Sequence, residues 1–146
     1  TGGEKFDGDQ HRDPATTRPL SAVVIDFGMV RPMRVPAEAS GRFVAGTPGY
    51  IAPDQVLDPV ELDGRADVYA LAGTIYNVTT GRAFFDDVTN PRDRIFAHMQ
   101  KDPLEDPALV QAYPAALVKL LRAATAINPK DRPHPMEFGR AFEACL

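Results

Sequence analysis

A mainly α-helical fold, a helical bundle with a short β-hairpin remnant at its N-terminal end, is what the order of apolar residues predicts. Three observations carry this expectation. From Arg65 onward the apolar residues recur at helical spacing, whereas one earlier run, Ser21–Asp26, is β-branched and apolar on both faces, as a short buried strand is. The segments between are punctuated by proline and glycine, 14 and 11 in 146 residues, which confines the elements to short lengths. Neither a repeat nor a low-complexity tract interrupts this order.

Residues 1–20 are polar, with Gly2, Gly3, Gly8, Pro14 and Pro19, and read as loop. The strand Ser21–Asp26 follows. Residues 29–45, with Pro32, Pro36 and Gly41 among scattered charges, read as an exposed loop. Ala52–Leu57 forms a short helix and residues 58–64 another loop. In the next helix Val68, Leu71, Ala72, Ile75, Tyr76 and Thr79 share helical spacing, Asp63 or Asp67 caps the start, and Gly81 stops the end. The expected inward face is Val68, Leu71, Ile75 and Tyr76, set against Leu117, Leu120 or Leu121. Pro91–Met99 is a helix carrying Ile95, Phe96 and Met99, and residues 101–107 form a loop. Leu117, Leu120, Leu121, Ala124 and Ile127 mark a strong helix, which Asn128-Pro129 ends. Pro135–Leu146 closes the chain with Phe138, Ala141, Phe142 and Cys145 on one stripe.

Length and composition suit one domain with a sizeable core, since 44% of the residues are hydrophobic. The formal net charge is -4, which gives no electrostatic reason to expect nucleic acid or an anionic membrane as a partner. Cys145 is the sole cysteine, so no intramolecular disulfide forms, and a cytoplasmic location is expected. No apolar stretch approaches a membrane span, so no membrane contact is expected from this segment. The chain begins at Thr1 without a methionine, and the expectation is a piece of a larger protein.

Two runs carry the chemistry. Asp26-Phe27-Gly28 closes the apolar strand, where a carboxylate is held in a fixed place and a glycine permits the turn. Phosphoryl transfer needs such hard oxygen ligands for Mg²⁺. Gly46-Thr47-Pro48-Gly49-Tyr50-Ile51-Ala52-Pro53-Asp54 packs two glycines and two prolines into nine residues and demands a defined, non-helical path. In this order and separation the two runs resemble the activation segment of a Ser/Thr protein kinase, which runs from D-F-G to A-P-E; here the last position is Asp54 in place of Glu. Ala66–Gly73 resembles the start of the long central helix of the kinase C-terminal lobe, although Ala72 stands where the family has glycine. Thr80–Phe85 resembles the close of that helix, and Asn128–Pro133 the loop before the last one.

The resemblance spans residues 22–146 and implies the C-terminal lobe of a eukaryotic-like (Hanks-type) Ser/Thr kinase, so that 1–146 is a partial kinase domain. It implies that the complete kinase moves the γ-phosphate of ATP to protein Ser or Thr hydroxyls with Mg²⁺. Asp26 would hold the metal. Gly46, Thr47 and Pro48 would bind the acceptor substrate, and Thr47 supports Ser/Thr over Tyr specificity. Ser40, the one hydroxyl between the D-F-G run and Thr47, is the candidate activation-loop phosphosite. Asp54, Asp67 and Arg132 would be structural: Asp67 steadying the catalytic loop, and Asp54 pairing with Arg132. The implied partners are a protein substrate and the missing N-terminal lobe.

His11-Arg12-Asp13 spells the catalytic H-R-D, but Arg18 stands where the metal-binding Asn belongs, and only twelve residues separate Asp13 from Asp26. Residues 1–20 are therefore read as a loop insertion in the hairpin, and no catalytic residue is assigned, the catalytic-loop Asp being expected before Thr1. The isolated His98 and His134 have no metal-ligand spacing and read as surface or packing residues. Such a chain is expected to be inactive by itself. Two rival readings remain: a pseudokinase lobe serving as a regulatory or scaffolding module, and an unrelated helical interaction domain.

Overall fold

The computed structural model describes residues 23–25, 46–57, 62–105, 111 and 113–145. The chain divides into two units, Thr1–Val30 and Arg31–Leu146. In the first unit only Val23–Ile25 is described. These residues form no strand and their side chains are about four-fifths exposed, with Val23 at 79%. The expected buried strand is corrected at these positions. A β-branched run becomes a strand only against a ladder partner, and no strand is present among the described residues. The loop insertion expected at 1–20, His11–Asp13, Asp26 and Ser40 lie outside the described residues.

The described residues of the second unit are mainly helical. Helix α1 is Pro53–Leu57, α2 is Arg65–Thr80, α3 is Pro91–Gln100, α4 is Ala115–Ala124 and α5 is Pro135–Glu143, with a 3₁₀ turn at Pro129–Asp131 before α5. Helices α2, α4 and α5 pack on one another, and the residues of that contact are the core: Val68, Tyr69, Ala72 and Tyr76 of α2, Leu121 and Ala124 of α4, and Phe138 of α5, joined by Ala52, Phe84 and Leu104.

The ends of α2 follow from local chemistry. Asp63 Oδ1 accepts the Arg65 N–H at 2.8 Å, satisfying a donor that the first turn leaves open. Gly81 ends the helix in the left-handed region, φ 73°, and its N–H reaches the Asn77 carbonyl. Helix α3 starts on Asn90, whose side chain accepts from Arg92 and Asp93 N–H, with Pro91 at the first helical position. At α5, Glu137 reaches back to the His134 N–H at 2.9 Å.

The inward face of α2 differs from the expectation. Val68 and Tyr76 are buried and Ile75 is partly so, but Leu71 is 47% exposed. Leu71 lies two residues beyond Tyr69, roughly 200° round the helix at about 100° per residue, and Tyr69 points straight into the core. Ala72 and Gly73 flank that side. A Cβ on Gly73 would stand 3.1 Å from the Phe84 ring and 3.2 Å from Tyr50, so the missing side chain is what lets Phe84 close on the helix. In α3, Ala97 and His98 are buried, whereas Phe96 is 57% exposed. Helix α4 ends at Ala124, three residues before Ile127; at its end the Thr125 hydroxyl donates back to the Leu121 carbonyl at 3.0 Å. Helix α5 ends at Glu143, and Phe138 stacks on Phe142.

Candidate functional site

The run from Gly46 to Asp54 is a turn that feeds α1. The Tyr50 N–H donates to the Thr47 carbonyl at 2.9 Å, closing a four-residue turn. Gly46 and Thr47 are exposed at its rim, Pro48 is half-buried, and Gly49, Ile51, Ala52 and Pro53 sink into the core. A Cβ on Gly49 would lie 2.9 Å from a guanidinium nitrogen of Arg94 and 3.2 Å from Ala83. That gap admits the Arg94 side chain, which donates two bonds, 2.9 and 2.8 Å, to the Phe84 carbonyl. The Ala52 N–H donates to Gln55 Oε1 at 2.8 Å and opens α1.

The inner end of the run is tied down by charge. Arg132 Nη1 donates to Asp54 Oδ1 at 2.8 Å, between residues 78 apart in sequence and both buried. The contact is a single bond and not a fork, in keeping with the short Asp side chain. The rest of the guanidinium goes to main-chain oxygens: Nε to Ala126 at 2.7 Å, Nη2 to Ile127 at 3.1 Å, and Nη1 also to Arg65 at 3.2 Å. The Tyr69 ring lies under it, 5.1 Å from the guanidinium carbon. One side chain thus holds α1, the start of α2 and the exit of α4 together, with each guanidinium nitrogen hydrogen-bonded as a buried charge requires.

On the other side of Tyr69 lies His98, fully buried, with Nδ1 2.5 Å from the Tyr69 hydroxyl. Three rings surround the imidazole: Tyr69 at 5.6 Å, Phe84 at 6.2 Å and Phe85 at 4.9 Å, all edge-on. Phe85 takes φ 52°, a strained choice for a bulky residue. Burial pushes the His98 pKa down to about 4, assisted by the Arg94 charge and opposed by the Pro48 backbone. Burial also pushes the Tyr69 phenol well above its ordinary value. Both groups are therefore neutral at pH 7.

The structure thus brings Asp54 and Arg132 into contact and sets Gly46, Thr47 and Pro48 on one turn. Asp67 is exposed on the first turn of α2. Among the described residues no three His, Cys, Asp or Glu side chains converge as a metal cage, and no helix is long and apolar enough to cross a membrane. Sequence reasoning missed the part played by Tyr69 and read His98 as a surface or packing residue. The missed signal was the combination of a helix containing a lone His with an upstream aromatic pair, Phe84-Phe85.

Comparison with known proteins places the chain. The protein kinase domain family matches residues 17–141. Serine/threonine-protein kinase Pkn1 of Myxococcus xanthus is 36% identical over 111 residues, covering 75% of this chain and 16% of that protein. Serine/threonine-protein kinase PknF of Mycobacterium tuberculosis is 35% identical over 124 residues, covering 82% of this chain and 25% of that protein. PksC of Streptomyces coelicolor is 35% identical over 89 residues, covering 61% and 16%. The chain belongs to the protein kinase family, on its Hanks-type Ser/Thr branch. It spans about a quarter or less of the length of these relatives.

Proposed function

We propose that this chain forms the C-terminal-lobe part of a Ser/Thr protein kinase and supplies its activation segment and acceptor-peptide surface. The complete kinase transfers the γ-phosphate of ATP to Ser or Thr hydroxyls of a protein substrate in the cytoplasm. The observation that carries this reading is the Gly46–Asp54 run: its outer end is exposed on a closed turn, and its inner end is clamped by Arg132. Positioning accounts for most of catalysis in this reaction class, and a turn anchored on a buried ion pair is suited to positioning. Gly46, Thr47 and Pro48 would meet the acceptor segment, and Ser40 would be the phosphosite that orders the loop before them.

Asp26 is the residue assigned to Mg²⁺, which, when bound, neutralises phosphate charge. In the full-length kinase, Asp26→Asn is expected to remove most phosphate transfer from ATP to an acceptor peptide while the melting temperature stays unchanged. Near-normal transfer by that variant would refute the metal assignment. A wild-type protein that binds partners but transfers no phosphate would support the scaffold reading instead.

A further inference from the structure

His98 is an expensive residue for a core position. A leucine would fill a cage of Tyr69, Phe84 and Phe85 without taking polar nitrogens out of water. The histidine is there with one nitrogen engaged, Nδ1 on the Tyr69 hydroxyl, and the other, Nε2, buried without a hydrogen-bond partner. A buried polar atom left open in this way calls for an explanation. The backbone of Pro48 faces the ring. Proline has no N–H, so the group it offers is the carbonyl, an acceptor. A neutral imidazole has one donor and one acceptor. With the phenol protonated, the arrangement that satisfies most groups has Tyr69 donating to Nδ1 and the imidazole proton on Nε2, directed at Pro48.

We propose that His98 is a positioning residue for the acceptor surface: held by Tyr69 at Nδ1, it presents Nε2–H to the Pro48 carbonyl and sets the height of the Gly46–Pro48 turn on which a Ser- or Thr-bearing peptide lies. This role rests on the reading of that turn as the acceptor surface. It extends the reading by naming what supports the turn from beneath. Hydrogen bonds at such sites are commonly loose before substrate arrives and tighten on binding, which accounts for the open Nε2. The groups facing the ring are Tyr69 from α2, Phe84, Phe85 and the Pro48 carbonyl, with the Arg94 charge on its own helix already bonded to the Phe84 carbonyl. Tyr69 also lies over Arg132, so the turn is linked through His98 and Tyr69 to the side chain that clamps its other end.

Two measurements test this. In the ¹⁵N-histidine-labelled chain at pH 7, long-range ¹H–¹⁵N correlations are expected to show His98 as the neutral Nε2–H tautomer; an Nδ1–H tautomer overturns the proposal. In the full-length kinase, His98→Gln keeps a donor near the Nε2 position and His98→Asn keeps only a group near Nδ1. The peptide KM is expected to rise about fivefold in His98→Asn, the size of one lost neutral hydrogen bond, and to stay within about twofold in His98→Gln. The KM for ATP is expected to stay unchanged in both. Equal effects of the two variants, or a change in ATP KM alone, would overturn it. If the wild-type kinase phosphorylates no peptide, the functional reading fails while the tautomer still decides what His98 does to the turn.

Discussion

Two ion pairs in this chain have nearly the same length and opposite surroundings. Arg132 meets Asp54 at 2.8 Å with the arginine side chain sealed from solvent. Arg82 meets Asp86 at 2.9 Å, four residues along the chain, with the arginine side chain 53% exposed. In the exposed pair, the hydrogen bond between the partners holds the Asp86 carboxyl below its usual range and the Arg82 guanidinium above it. Water and salt already solvate these charges, so the pair adds little to the fold. In the buried pair, neither charge has water to return to. Distance is therefore a poor guide to worth; what decides is what each group would face if its partner were gone.

The largest effect expected from this contrast is at Arg132. Arg132→Ala leaves the Asp54 carboxylate buried without a cation and frees three main-chain carbonyls, and a loss of about 3–5 kcal/mol in chemical denaturation is expected. A loss under about 1 kcal/mol would mean that the corner is wetter than its geometry implies. Next comes His98, a buried group of a third kind, neutral in the fold and chargeable outside it. Its folded pKa of about 4 lies below the unfolded value of about 6.5, so the unfolded chain takes up the proton first. Stability is fully present above about pH 6.5 and is lost as the pH falls toward and through 4, by up to ~3 kcal/mol. The difference in unfolding free energy between wild type and His98→Gln, followed from pH 7 to 4, isolates this slope; parallel curves would show that His98 protonates as easily in the fold as outside it. The smallest effect belongs to the exposed pair. Arg82→Ala is expected to leave the melting temperature unchanged at moderate salt, and a clear drop would show that surface geometry carries more than its exposure allows.

How much of this was readable in the chain depends on what each signal measures. Breakers were legible because they act locally. Gly81 ends α2 and Pro91 opens α3 where the residues say they should, whereas α4 stops at Ala124, short of Asn128-Pro129, which instead opens the 3₁₀ turn. Asp54 and Arg132 could be named only through the family resemblance, because no periodicity links residues 78 apart. On α2 the expected inward face held at Val68, Ile75 and Tyr76 and failed at Leu71, because the inward positions between them are taken by Tyr69 and the small Ala72 and Gly73. Leu71 and Phe96 are apolar and exposed; Gly73 and His98 are the positions where the core comes closest. A tight helix contact selects small residues and aromatic partners, which a hydrophobic stripe does not register. Val23–Ile25, the described part of the Ser21–Asp26 run, form no strand, since strand formation depends on a neighbour and not on the run itself. The roles assigned to Asp26 and Ser40 remain sequence arguments, because those positions fall outside the described residues.

The clamp at Arg132 also has a consequence for the order in which the chain assembles. Its carboxylate partner is separated from it by more than half the chain, and that loop must close before the contact yields any stability. Helices α4 and α5, being near neighbours, can dock first on short-range contacts. A contact made after the transition state slows the escape from the native basin without hastening arrival. Arg132→Ala is accordingly expected to raise the unfolding rate and leave the refolding rate nearly as it was, which stopped-flow chevrons would resolve. The corner then acts as a latch: it decides how long the acceptor turn, once formed, stays in place.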